Sequence, residues 1–238
     1  MAHPLLIIKN ITREGPGLLE NALHTHGIAS LTADISRGDE FPDPGNFKAL
    51  FVLGGPSSAN DDTPVMNRQL RQIEKALSDE IPFLGICLGM QTLVKAGGGK
   101  VLKCPEKETG FIDPEGVPYR IDLTEAGFED PLFAGLGKSF PVFQLHGETV
   151  ELPKSGMQML ATGSRCQVQA VRAGKNAYGL QCHFELTQEM FFSWLDNDAD
   201  LKTMDRNLLT RQFEELREEY TATGLALMNN FLRIAGLA

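Results

Sequence analysis

Apolar positions in the first hundred residues of this chain follow two alternating rhythms. PLLIIKN (4–10), IASLTAD (28–34), ALFVLGG (49–55) and PFLGIC (82–87) are short continuous runs, the pattern of strands buried on both faces. Between them the spacing becomes helical. GLLENALHTHG (17–27) predicts a helix stopped at Gly27, where glycine accepts the left-handed backbone of a helix end. In DDTPVMNRQLRQIEKAL, Thr63 is placed to cap and Pro64 suits the first turn. Met66, Leu70, Ile73 and Leu77 then recur at intervals of four, three and four, one apolar face of a helix. Another helix follows residue 87 and ends near the glycines at 97–99. Strands joined by helices imply right-handed crossovers and an α/β fold, a mostly parallel sheet with helices on both faces.

From 101 to 185 the character changes. YRIDL, FPVFQLH, QMLATG, VQAVRAG and YGLQCHFE predict short strands between Gly, Pro and Ser turns, a mixed or antiparallel extension. The chain closes with helical segments: TQEMFFSWL with its Thr–x–Glu start, NLLTRQFEELREEY with Leu209, Phe213, Leu216 and Tyr220 on one face, and GLALMNNFLRIAG. With no repeat, linker or low-complexity stretch, residues 1–238 read as one domain with the helices of 187–238 packed on it.

Charge narrows the function classes. Asp and Glu outnumber Lys and Arg by 31 to 22, a net charge of −9, which argues against nucleic acid as a partner. Between 185 and 219, ten acids face four bases, the pattern of a solvated helix surface. No stretch approaches the roughly 20 apolar residues of a membrane helix. MAHPLLIIKN lacks the charged leader of a secretory signal, and the expected location is the cytoplasm. The four cysteines (87, 104, 166, 182) form no CxxC pair, which predicts neither a disulfide framework nor a metal cluster. AGGGK and AGKNA lack the spacing of a phosphate loop, so no cofactor is expected.

One cysteine stands apart. In FLGICLGMQTL (83–93), Cys87 sits where a strand gives way to a helix, with Gly85 and Gly89 two residues to either side. A nucleophile on so abrupt a turn is crowded from both positions, and glycine relieves the crowding, as in the Gly-x-Ser-x-Gly elbow of α/β hydrolases. The helix that follows offers free N–H groups and a positive dipole end, which favour a thiolate. A thiolate nucleophile needs a base, and the base an orienter. Histidines 3, 24, 26, 146 and 183 compete. In YGLQCHFEL a strand period of two puts Gln181, His183 and Glu185 on one face, His183 and Glu185 about 6.6–6.8 Å apart.

These motifs together resemble the class I glutamine amidotransferases, most nearly the GMP synthase-type domain and its stand-alone relatives. GICLGMQ, HFE 96 residues later, VLGGPSS (52–58) and FQLHGETVELP (143–153) carry the likeness over about residues 49–187. Phe184 stands where the family usually has proline, and 105–120 follows its pattern loosely. The resemblance implies a flavodoxin-like sheet and a Cys87, His183, Glu185 triad that hydrolyses an amide through a γ-glutamyl thioester. It implies an oxyanion hole from the N–H groups of Leu88 and Gly55, beside Gly54. Gln91 and the segment His146-Gly147-Glu148 would help hold the substrate, L-glutamine or another γ-glutamyl compound. Cys104, Cys166 and Cys182 read as packing. A synthetase in trans would use the ammonia. Two alternatives share the fold: a γ-glutamyl peptidase with the same triad, and an inactive regulatory or binding subunit.

Overall fold

The computed structural model describes residues 4–238; His3 lies outside the described residues. The elements in chain order are β1 (Leu5–Lys9), α1 (Leu18–His26), β2 (Ser30–Asp34), β3 (Ala49–Val52), α2 (Pro64–Ser78), β4 (Phe83–Ile86), α3 (Leu88–Ala96), β5 (Lys100–Gly110), β6 (Arg120–Leu123), α4 (Glu125–Phe128), β7 (Ser139–Pro141), β8 (Gln144–Glu151), β9 (Met157–Thr162), β10 (Ala170–Ala173), β11 (Ala177–Leu180), α5 (Gln188–Asn197) and α6 (Arg206–Ile234). Nine strands form one sheet in the order β2-β1-β3-β4-β11-β10-β9-β6-β7. The first five are mutually parallel. β10, β9, β6 and β7 extend the sheet antiparallel, while β5 and β8 pair as a separate ribbon.

Alternation along the parallel strands divides the core. Leu5, Ile7, Ala49 and Phe51 face α1 and the end of α6, meeting Leu19, Leu23, Leu227 and Phe231. Leu6, Ile8, Leu50 and Val52 face α2 and α3, meeting Met66, Ile73, Met90 and Leu93. Strands apolar on both faces therefore read as unbroken runs. The expected caps are present: Gly27 is left-handed at φ 63°, and the Thr63 side chain accepts the Met66 N–H at 3.2 Å. A third core is aromatic. Phe111, Phe143, Phe191, Trp194, Phe213 and Tyr220 pack where α5 and α6 meet the β5–β8 ribbon. No helix among the described residues is long and apolar enough to cross a membrane.

Two expectations need correction. β11 ends at Leu180, so residues 181–185 do not continue the strand, and His183, Phe184 and Glu185 are all buried. The expected strand with one polar face is replaced by a loop clamped from several sides. The Leu18 N–H donates to the Glu185 carbonyl at 2.8 Å, and the Leu186 N–H to the Tyr220 hydroxyl at 3.3 Å. Likewise, the two C-terminal helical segments are one continuous helix of 29 residues, running through Gly224. The reason lies in that loop. A Cβ on Gly224 would fall 2.2 Å from the Phe184 carbonyl oxygen, so glycine here serves close packing and not termination.

In an open helix interior, Gly→Ala would stabilise by roughly 0.8–1 kcal/mol. For Gly224→Ala the sign reverses: overpacking against Phe184 should lower the unfolding free energy by about 1–3 kcal/mol, measured by urea denaturation.

Candidate active site

The carboxyl ends of β1, β3, β4 and β11 lie side by side, and Glu14, Gly54–Gly55, Cys87 and His183 each follow one of them. Cys87 follows β4 with φ 51° and ψ −107°. Among the described residues only Glu80 and Cys87 combine a side chain with positive φ. Such a conformation costs of order 1–3 kcal/mol and persists where surroundings enforce it. Here the Cys87 N–H donates to the Leu180 carbonyl at 2.8 Å, and its own carbonyl takes the Gln91 N–H at 3.0 Å. Gly85 and Gly89 let α3 lie directly on the sheet. A Cβ at Gly85 would be 2.4 Å from the Gly89 carbonyl carbon, and one at Gly89 2.1 Å from the Val52 oxygen.

His183 is held from β8's side by a two-way bridge with Phe143, His183 N–H to Phe143 O at 2.8 Å and the return bond at 3.2 Å. Its Nδ1 contacts Glu185 Oε1 at 2.7 Å, while Glu185 Oε2 accepts the Phe184 N–H at 2.9 Å. The ring stands edge-on to Trp194, centroids 4.8 Å apart. Burial alone would push the imidazole down. The Glu185 carboxylate, helped by the Cys87 sulfur, outweighs it and holds His183 protonated well above the usual histidine range. Cys87 and His183 meet across Gly54: a Cβ there would be 3.1 Å from His183 Cε1 and 3.5 Å from Cys87 Cβ. The Cys87 thiol donates to the Leu145 carbonyl at 3.9 Å.

A cavity of about 520 Å³ opens over these groups, lined by Gly55, Cys87, Gln91, His146, Gly147, Glu148 and His183 together with residues of 13–14, 56–58 and 197–200. Glu185 sits behind His183, and the Leu88 side chain is in the core, leaving its N–H as the first of α3 with no intrahelical acceptor. Gly55 packs on Asn10, whose side chain donates to the Leu53 carbonyl at 2.8 Å. The side chains expected to hold substrate have partners within the protein. His146 Nε2 contacts Glu108 Oε2 at 2.8 Å and Nδ1 lies 3.0 Å from the Glu148 carbonyl. Both Glu148 carboxylate oxygens accept the Ser58 hydroxyl at 2.9 Å. Gln91 Nε2 spans the Glu148 carbonyl (3.3 Å) and Gln181 Oε1 (3.2 Å). These three buttress the 146–148 segment.

Sequence reasoning missed Glu14. It is buried on the loop after β1, its Oε2 3.5 Å from the point where a Gly54 Cβ would be. Desolvation raises it to about 7, with His183 pulling down and Glu185 pushing up. The signal was available: an acid in REGPG (13–17) follows a strand end, the edge where ligands gather in parallel sheets. Arg13, paired with Asp198 at 3.5 Å, borders the same cavity. The cysteine reading also changes. Cys182 is core packing, but Cys104 is only half-buried, and it lies with Cys166 and His146 so that their sulfur and nitrogen atoms are within 4.8 Å of one another, a proximity their spacing in sequence did not reveal. A hydrogen bond from Cys104 draws the Cys166 thiol below the ordinary range and pushes Cys104 above it.

Comparison with known proteins adds an independent line. The family described as "Glutamine amidotransferase class-I" matches residues 19–198. The glutamine amidotransferase-like protein YfeJ of Salmonella typhimurium is 35% identical over 153 residues, covering 62% of this chain and 61% of YfeJ. A GMP synthase (glutamine-hydrolyzing) of Thermosipho melanesiensis is 32% identical over 179 residues, covering 73% of this chain and 32% of the synthase. The match thus spans between a third and three-fifths of these curated relatives' length. The crystal structure of a glutamine amidotransferase from Thermotoga maritima superposes with TM-score 0.85 at 25% identity, over 99% of both chains.

Glu14 gives a test of the site's electrostatics. Its folded pKa of about 7 lies above its ordinary 4.5, so its contribution to stability is complete below pH 4.5 and is lost as pH rises through 7. That loss is at most about 3 kcal/mol. Relative to the wild type, Glu14→Gln should therefore gain up to that amount between pH 4.5 and 8 in urea unfolding. A difference that stays constant with pH would contradict the assignment.

Proposed function

This chain belongs to the class I glutamine amidotransferases, and we propose that it hydrolyses the side-chain amide of glutamine with Cys87 as nucleophile, His183 as acid and base, and Glu185 as orienter. The observation that carries this reading is the shared floor at Gly54, where the strained Cys87 turn and an imidazole clamped by Glu185 face one cavity.

The sulfur, its proton taken up by His183, attacks the amide carbon. The imidazolium returns that proton to the departing nitrogen, and ammonia leaves a γ-glutamyl thioester. Water, deprotonated by the same ring, then releases glutamate. The negative charge on the substrate oxygen falls to the N–H groups of Leu88 and Gly55, and removal of one such donor typically costs ~2.7–4 kcal/mol of barrier. Gly54 keeps its surface bare so that the amide can lie between sulfur and ring. The backbone of His146, Gly147 and Glu148 forms the wall against the amino-acid end of the substrate, supported by Gln91. The ammonia acceptor would be activated by a synthetase in trans, in keeping with the GMP synthase likeness.

Incubation with glutamine should release ammonia and glutamate in equal amounts, and a Cys87→Ala variant should release neither. Amine release from γ-glutamyl peptides with none from glutamine would replace this reading by a peptidase with the same triad. Silence on both substrates, with Cys87 inert to iodoacetamide, would leave a non-catalytic subunit. Glu185→Gln removes the charge that keeps His183 protonated and aligned, and should lower kcat by about 10²–10⁴-fold with the far-ultraviolet circular dichroism unchanged.

A further inference from the structure

Behind the 146–148 wall lies a second cluster that the proposed reaction does not use. Cys104 comes from the irregular stretch of β5 where its register with β8 shifts between Lys103 and Glu108. His146 stands on β8, and Cys166 in the loop between β9 and β10. Their three donor atoms all lie within 4.8 Å of one another, with Cys104 Sγ 3.7 Å from His146 Nδ1. A tetrahedral ion with metal–sulfur bonds near 2.3 Å and metal–nitrogen bonds near 2.0–2.1 Å holds such donors about 3.5–3.8 Å apart. One pair is already at that separation, and the widest must close by about 1 Å, along a strand segment without regular pairing. We propose that Cys104, His146 and Cys166 form a site for one thiophilic divalent ion, zinc in the first instance.

The surroundings of His146 support this independently. Nε2 is fixed on Glu108, whose Oε2 also accepts the Gln169 side chain at 3.0 Å and whose Oε1 accepts the Cys166 N–H at 3.3 Å. A carboxylate on the far nitrogen is the arrangement that orients metal-binding histidines and raises their basicity. Nδ1 lies 3.0 Å from the Glu148 carbonyl oxygen, so an ion that takes the Nδ1 lone pair in place of a ring proton there would sit beside this oxygen. The carbonyl, which Gln91 also approaches at 3.3 Å, completes a fourth ligand. Thr149 Oγ1 lies 3.1 Å from Cys166 Sγ and can donate to a thiolate. An entry path exists as well, since Cys104 and Cys166 line a separate cavity of about 490 Å³. Binding releases the thiol protons to solvent. The occupied site would fix the strand whose other side faces the catalytic cavity. None of this depends on the catalytic assignment.

The test uses the full-length Cys87→Ala variant, so that no signal arises from the thiol at 87. Reduced, chelator-stripped protein is titrated with Zn(II) by calorimetry and with Co(II) by visible absorption. One ion should bind per chain, with thiolate-to-Co(II) charge transfer and tetrahedral Co(II) bands. Glu108→Gln should weaken Zn(II) about 10–100-fold, and Cys104→Ser or Cys166→Ser by more than about 100-fold. Cys104→Ser changes a half-buried residue, so it remains informative where Cys166→Ser unfolds. Absence of thiolate bands, or affinity unchanged by Cys104→Ser, would overturn the site. A Cys104–Cys166 disulfide, found by mass in protein kept with saturating Zn(II), would overturn it in favour of a redox pair.

Discussion

The bond between Glu185 Oε1 and His183 Nδ1 is the contact around which this site is organised. A buried imidazole is pushed toward neutrality by desolvation, and the carboxylate at 2.7 Å, with help from the Cys87 sulfur, reverses the balance. The carboxylate is itself nearly excluded from water, so it must be satisfied locally. Its second oxygen takes the Phe184 N–H, and the surrounding loop is tied to the first N–H of α1 and to Tyr220 of α6. The charge that tunes the histidine is thus positioned by both ends of the chain.

Much of the frame was legible because it rests on local rules. The unbroken apolar runs marked strands covered on both faces, and Gly27, Thr63 and Pro64 marked helix ends. The elbow was legible for the same reason: Gly85 and Gly89 are required by steric contacts of 2.4 and 2.1 Å that no other residue could accept. The loop 181–185 was not. Its alternation of apolar and polar residues imitates a half-exposed strand, and nothing local reveals that α6 and Trp194 bury the polar side as well. Gly224 misled for a related cause. A glycine that interrupts a helical pattern reads as a stop until the carbonyl it must accommodate is in view.

The residues that were missed or read otherwise share a feature. Glu14 was passed over, Cys104 and Cys166 read as packing, and His146 as a substrate contact; each meets its neighbours across segments far away in sequence, so that spacing carries no trace of the grouping. Glu14 meets Gly54 and His183 only because β1, β3, β4 and β11 end side by side. The β5–β8 ribbon brings Cys104 beside His146, and the loop between β9 and β10 adds Cys166.

The single long helix at the end of the fold has a consequence in time. Arg206–Ile234 is synthesised after every strand and after both halves of the elbow. Until it emerges, Phe184 has no Gly224 against it and Leu186 has no Tyr220 hydroxyl. A nascent chain on the ribosome can complete its sheet while the histidine loop is still unsupported. The final seating of the His183 loop therefore waits on the packing of this helix and not on completion of the sheet.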